Sequence, residues 1–345
     1  MSDHDELPPN APSGAPSPPP GQDSATAPRR RLLLPAIAAG CALLLLLGAA
    51  GVLGAVRLLG REGDGTAASD GVTSGTAEGD SDAWRPLEEG QEPSGSADDL
   101  EAALVENPLL EARLEEPAQC ELPSTVDGAV PADEMQGYLQ AGADCLGASW
   151  SEALTAVGLE FEAPEVVVYT IEELPEDSAC DTARFSEESP VVCQEDNTLY
   201  WPAAWDPGFS NASAQEVPQL YMWHLSYSYT LFVMGSASLD GYFGALLIAL
   251  ADDPGRAEQS QRRYGLQVSC LASAAAHRQP DGIRPDGRVG DFVTSVEAQA
   301  APATDGEPSP EARAAWVQTG RDSDGVLADC STWTADAAAI DVGTG

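Results

Sequence analysis

Apolar positions change pattern three times along this chain, and each change marks a boundary. From Met1 to Pro28 large apolar side chains are nearly absent and the stretch PPNAPSGAPSPPPG dominates. Such a segment buries too little surface to offset chain entropy, so a disordered Pro-rich tail over residues 1–31, with local polyproline II character, is expected. Leu32 to Val56, LLLPAIAAGCALLLLLGAAGVLGAV, then carries no charge at all. As a helix it would be roughly 37 Å long, enough to cross a hydrocarbon core of about 30 Å with some tilt. A cleaved signal peptide has a shorter apolar run, so a retained transmembrane helix is expected. Polarity returns at Glu62, and up to Ala97 the chain is mostly Gly, Ser, Asp, Glu, Thr and Ala. Residues 57–97 therefore read as a flexible, self-repelling stalk.

Periodic patterning begins near Asp98, where DDLEAALVENPLL supplies Leu100, Leu104 and Val105 before Pro108 interrupts. From Met135 to Gly158 apolar residues return near every 3.6 positions, which predicts a helix, with Gly142 expected to interrupt it. Pro164 opens EVVVYT, a β-branched run typical of a buried strand, and Val191 to Trp201 predicts a second extended piece around the polar turn Gln194 to Asn197. Gln215–Gly235, Asp240–Leu250 and Arg256–Ala276 read as three helices, the last two separated by an Asp252-Asp253-Pro254-Gly255 turn. Ser309-Pro310-Glu311 is a helix start, with Ser as cap and Pro at the first position. Residues 98–345 thus predict one helix-rich α+β domain with a single sizeable core.

Charge sets the topology. Arg29, Arg30 and Arg31 precede the apolar span, whereas Arg57 and Arg61 beyond it are accompanied by Glu62 and Asp64. The excess of positive charge before the span places the N-terminus in the cytoplasm and the folded domain outside, on a single-pass protein of the cell membrane. Sixteen basic residues against 56 acidic ones give a net charge of -40. Nucleic acid is excluded as a partner, because its phosphates would be repelled and no cationic stripe exists. Basic partners or diffuse divalent cations suit the surface better.

Seven cysteines occur, and Cys41 lies within the apolar span. The other six, Cys120, Cys145, Cys180, Cys193, Cys270 and Cys330, are an even number in an exported domain and predict a disulfide framework. Fifteen pairings are possible. Sequential closure, which makes three local staples, is the expected one. Thiolate metal ligation is disfavoured, since no two of the six stand at a C-x-x-C spacing.

Only three histidines are present: His4, His224 and His277. His277 falls at the end of its predicted helix, where a cationic imidazole would favour the helix dipole. His224 lies within YMWHLSYSYTLFVMG, Tyr221 to Gly235, which reads as a buried helix. A zinc peptidase shows H-E-x-x-H at this kind of site, because residues i and i+4 share one helical face and the Glu activates the metal-bound water. Here the string is His224-Leu225-Ser226-Tyr227-Ser228. No nucleophile elbow, phosphate loop or paired catalytic carboxylate stands out, and Asn211-Ala212-Ser213 is read as a chance sequon.

The order of these features resembles the bacterial neutral zinc metallopeptidase family. Those single-pass proteins carry H-E-x-G-H on one helix and R-x-E-L-Q-A-D-C on the next. The counterpart of the second motif is Arg263-Tyr264-Gly265-Leu266-Gln267-Val268-Ser269-Cys270, and NPLL at Asn107, Cys120 with Cys145, Cys193 to Trp201, Arg313 with Trp316 and Gly320, and Cys330 follow in order. The resemblance covers roughly Asp98 to Trp333 and implies a zincin-like fold. It also implies roles, most of them lost: His224 matches the first ligand, but Leu225 replaces the general base and Ser228 the second histidine. Gly265 replaces the glutamate ligand, and Ser269 the acid that orients a ligand. One imidazole cannot hold zinc at trace concentration, so no cofactor and no hydrolysis are expected. Glu216 is an example of a carboxylate that a rebuilt site could recruit. Tyr221, Tyr227 and Tyr229 read first as fillers of the former cleft, and Tyr221, His224 and Tyr227 are the candidates to line it if it stays open. The expected function is a pseudoenzyme that binds or scaffolds an envelope protein or peptide. An active metallopeptidase with a non-standard metal site and a passive structural domain are the alternatives.

Overall fold

The computed structural model describes residues 84–88, 90–300 and 307–341. The Pro-rich tail, the apolar span Leu32 to Val56 and the stalk as far as residue 83 lie outside the described residues, and nothing further is said of them. Among the described residues no single helix is long and apolar enough to cross a membrane.

The architecture is α+β: helices α1 (Ala97–Val105), α2 (Ala132–Ala156), α3 (Val217–Ser236), α4 (Leu239–Ala249), α5 (Pro254–His277), α6 (Gly287–Val293), α7 (Pro310–Asp322) and α8 (Ala337–Ile340), with strands β1 (Glu165–Tyr169), β2 (Val191–Cys193) and β3 (Thr198–Pro202). Local signals start the helices where the sequence placed them. Ser96 and Asp99 form a reciprocal capping box at α1. Asp253 accepts from Arg256 N at α5, and Ser309 accepts from Ala312 N ahead of Pro310 at α7, each satisfying an orphan N–H of a first turn. The short α6 carried no apolar period long enough to be read.

β3 is central, parallel to β1 and antiparallel to β2, and all five of its residues are buried. β1 would leave an open edge, but α2 covers it. Gln136 Nε2 donates to Val166 O at 2.6 Å while its Oε1 accepts from Val168 N at 2.9 Å, and Gln140 Oε1 accepts from Val166 N at 3.3 Å. Two side chains thereby satisfy backbone groups that would otherwise be a pairing hazard.

α3 runs through the middle of the core. Every residue from Gln219 to Thr230 is buried, so the helix is enclosed on all sides. Gly142 does not interrupt α2, which is continuous; the absence of a side chain there lets α3 approach. A Cβ at Gly142 would come within 2.7 Å of Leu225 Cδ1. α3 and α4 meet at a 76° bend, where Ser238 takes a left-handed φ of 60°. Asn107 Nδ2 holds this corner by donating to Ala237 O at 2.9 Å.

The stalk boundary also moves. Trp84 Nε1 donates to Ala237 O at 3.2 Å, and Leu87 N donates to Ser238 Oγ at 3.0 Å. The fold therefore begins by residue 84 and not at Asp98, because two apolar side chains in an acidic, glycine-rich stretch are enough to dock it on the α3–α4 corner.

Three disulfides join Cys120 to Cys145, Cys180 to Cys193 and Cys270 to Cys330, the sequential pairing. The last ties α5 to the turn after α7, along a seam where the two helices nearly touch. A Cβ at Gly320 would lie 2.1 Å from Cys270 O and 2.9 Å from Ser273 Cβ. Because that neighbour is backbone, Gly320→Ala is expected to cost about 3 kcal/mol by forcing the helices apart, measured as a lowered urea midpoint. A variant as stable as the parent would contradict this packing.

Candidate functional site

The site predicted from the sequence is the stretch of α3 around His224. His224 is fully buried, with Trp205 and Phe209 edge-on to its ring at centroid distances of 5.0 and 5.5 Å. Both come from the loop after β3, which folds back because Asp206 Oδ1 accepts from Gly208 N at 3.0 Å and Ser210 N at 3.1 Å. Phe209 in turn stacks on Tyr221 at 3.9 Å, and Tyr221 stacks on Trp201 of β3 at 6.1 Å. An imidazole in this apolar box is held neutral: burial pushes its pKa from 6.5 down to about 3.

The other positions meet different neighbours. Leu225 projects toward Gly142 of α2. Ser228 is fully buried, as is Ser269, whose hydroxyl turns back onto its own helix to donate to Gly265 O at 2.9 Å. Gly265 itself lies under Pro308, which a Cβ there would meet at 3.7 Å. Tyr221 and Tyr227 are no more than 1% exposed, so these side chains, with His224, fill the core and line no open cleft. Tyr229 packs beside Phe161 at 5.8 Å.

Glu216 is engaged elsewhere. Its Oε1 accepts from Arg288 Nε at 2.6 Å and its Oε2 from Ser213 N at 2.9 Å, which closes off recruitment toward His224. His277 also departs from expectation. It is half-buried, with Nδ1 2.8 Å from Ser273 O and Trp223 edge-on at 6.4 Å. Burial pushes its pKa down to about 4, so it is neutral at pH 7 and not the cationic helix end that its position suggests.

Trp205 and Phe209, which seal His224, were not singled out from the sequence; the aromatic-rich string WPAAWDPGF was the available signal. Away from α3, a surface groove of about 610 Å³ runs between α1 and the first turns of α5, lined by Asp98, Glu101, Glu106, Arg256, Arg263 and Trp333. Its charges are largely spent internally. Arg256 pairs with Asp98 at 2.8 Å and Glu101 at 3.1 Å, and Arg263 donates to the carbonyls of Thr332 and Ala335. No family model, curated protein or solved structure matches this chain.

Proposed function

We propose that this chain is a zincin-like domain without zinc chemistry, a pseudoenzyme held at the cell membrane by the span Leu32 to Val56 and used there for binding or scaffolding an envelope protein or peptide. The observation that carries the loss of catalysis is the aromatic seal on His224. Trp205 and Phe209 pack against the one surviving ligand, while a leucine stands where the general base would be and serine and glycine where two further ligands would be. An alkyl group accepts no proton, and a single neutral imidazole cannot hold zinc against water. The domain that remains is stapled by three disulfides in a chain of net charge -40, a form suited to presenting a surface.

Purified full-length protein incubated with zinc and then desalted is expected to retain far less than one ion per chain under non-reducing conditions, and to cleave no peptide. Stoichiometric zinc with peptide hydrolysis abolished by His224→Ala would overturn the proposal.

A further inference from the structure

The Cys180–Cys193 hairpin carries chemistry that the other two disulfides do not. Cys193 ends β2, and the turn to β3 that follows places Glu195 over the cross-link. Glu195 Oε2 lies 3.1 Å from Cys180 Sγ and 3.4 Å from Cys193 Sγ. Arg184 belongs to the same cluster: its Nη1 donates to Cys180 Sγ at 3.0 Å and lies 3.9 Å from Glu195 Oε2, while its Nη2 donates to Val192 O at 2.8 Å. The guanidinium is held in place by the short helical turn Thr182–Arg184, started by Asp181. Ligand atoms of Cys180, Cys193 and Glu195 all lie within 4.8 Å of one another, and among the described residues no other three His, Cys, Asp or Glu side chains form such a group.

We propose that breaking this disulfide creates a divalent-metal site, with Cys180, Cys193 and Glu195 as ligands and zinc as the ion. While the sulfurs are bonded to each other they are not thiolate donors. A dithiol reductant changes that: its two sulfurs join, the Cys180–Cys193 bond breaks, and each cysteine sulfur takes one proton. Two free sulfurs and the Glu195 carboxylate then lie close enough together to bond one ion. Zinc displaces both thiol protons to solvent and bonds both sulfurs and the carboxylate, which leaves a fourth position for water. Two thiolates, one carboxylate and one Zn²⁺ sum to a single negative charge, and Arg184 stands beside it. Glu195 is 60% exposed, so the ion has a route in.

The separation of 13 residues hides this site from any C-x-x-C search. Its consequence is local. Cys180 and Cys193 belong to a small satellite core with Tyr169, Phe185, Val191 and Tyr200, apart from the main one. A metal would replace the covalent staple there without reaching α3, so the site is independent of the loss of zinc at His224.

The test uses the full-length protein, reduced with a dithiol and desalted without oxygen. Zn²⁺ is then titrated in competition with a chromophoric chelator, and alkylation with mass spectrometry reads which cysteines are free. One ion per chain is expected for reduced protein and none for oxidised protein, with release on reoxidation. Cys180→Ser/Cys193→Ser, treated identically, is expected to take up none. Glu195→Gln should weaken binding at least about tenfold, since losing even an outer-shell partner commonly costs that much. Four outcomes would overturn the proposal: a pair that stays oxidised in the folded protein, a free pair that takes up no zinc, equal uptake by the double serine variant, or unchanged affinity in Glu195→Gln.

Discussion

Acidification from pH 7.5 to 4.5 is expected to remove about 3 kcal/mol of stability through His224 alone. Burial holds its folded-state pKa near 3, against 6.5 for an ordinary histidine. Between those values the unfolded chain binds a proton that the folded chain refuses, so the stabilisation is complete above about pH 6.5 and is lost as pH falls toward 3. The limiting slope is about 1.4 kcal/mol per pH unit. His277, lowered by burial to about 4, acts in the same direction. Asp240 acts in the opposite one: burial raises its pKa despite the hydrogen bonds from Tyr264 and Gln194, so its stabilisation is present at low pH and declines as pH rises. Comparing slopes isolates His224 from both. His224→Phe, which keeps a ring between Trp205 and Phe209, is expected to flatten the dependence of unfolding free energy on pH by about 1.4 kcal/mol per unit below pH 6, whatever it does to absolute stability. An unchanged slope would mean that the imidazole reaches solvent and the aromatic box opens.

Cys270→Ser/Cys330→Ser is expected to cost about 4 kcal/mol, more than the roughly 3 kcal/mol for Cys180→Ser/Cys193→Ser, because the stabilisation grows with the length of chain that the bond closes. The separations are 60 and 13 residues. The longer loop contains α6, α7 and the α5–α7 seam, so its loss also frees the close contact at Gly320. Urea midpoints under non-reducing conditions would read the difference. A Cys270/Cys330 variant no weaker than the Cys180/Cys193 variant would show that the seam holds without its cross-link.

Elements whose cause is local were legible in the sequence. Ser309 announced a helix start because a capping side chain acts within three residues, and β-branched EVVVY announced β1; Ser96, placed in the stalk, and Asp253, read as part of a turn, cap helices in the structure without having been read as starts. Gly142 was misread because a glycine weakens a helix in isolation yet admits a close neighbour in a packed one. Only the position of Leu225 on another element distinguishes the two cases. Trp84 and Leu87 were lost in the composition of an acidic stretch, since composition averages over the few side chains that dock.

At the candidate site the division is similar. The residue types at Leu225, Ser228, Gly265 and Ser269, the total of three histidines and the even set of six cysteines beyond Cys41 were countable from the chain alone, because side-chain chemistry is written in the sequence. What surrounds His224 was not countable. The folding of Trp205 and Phe209 over it, the diversion of Glu216 to Arg288 and the placing of Glu195 on the Cys180–Cys193 bond all join residues separated along the chain or turned by a loop. Side-chain direction at those points is set by packing against a third element, and that information exists only once the chain is folded.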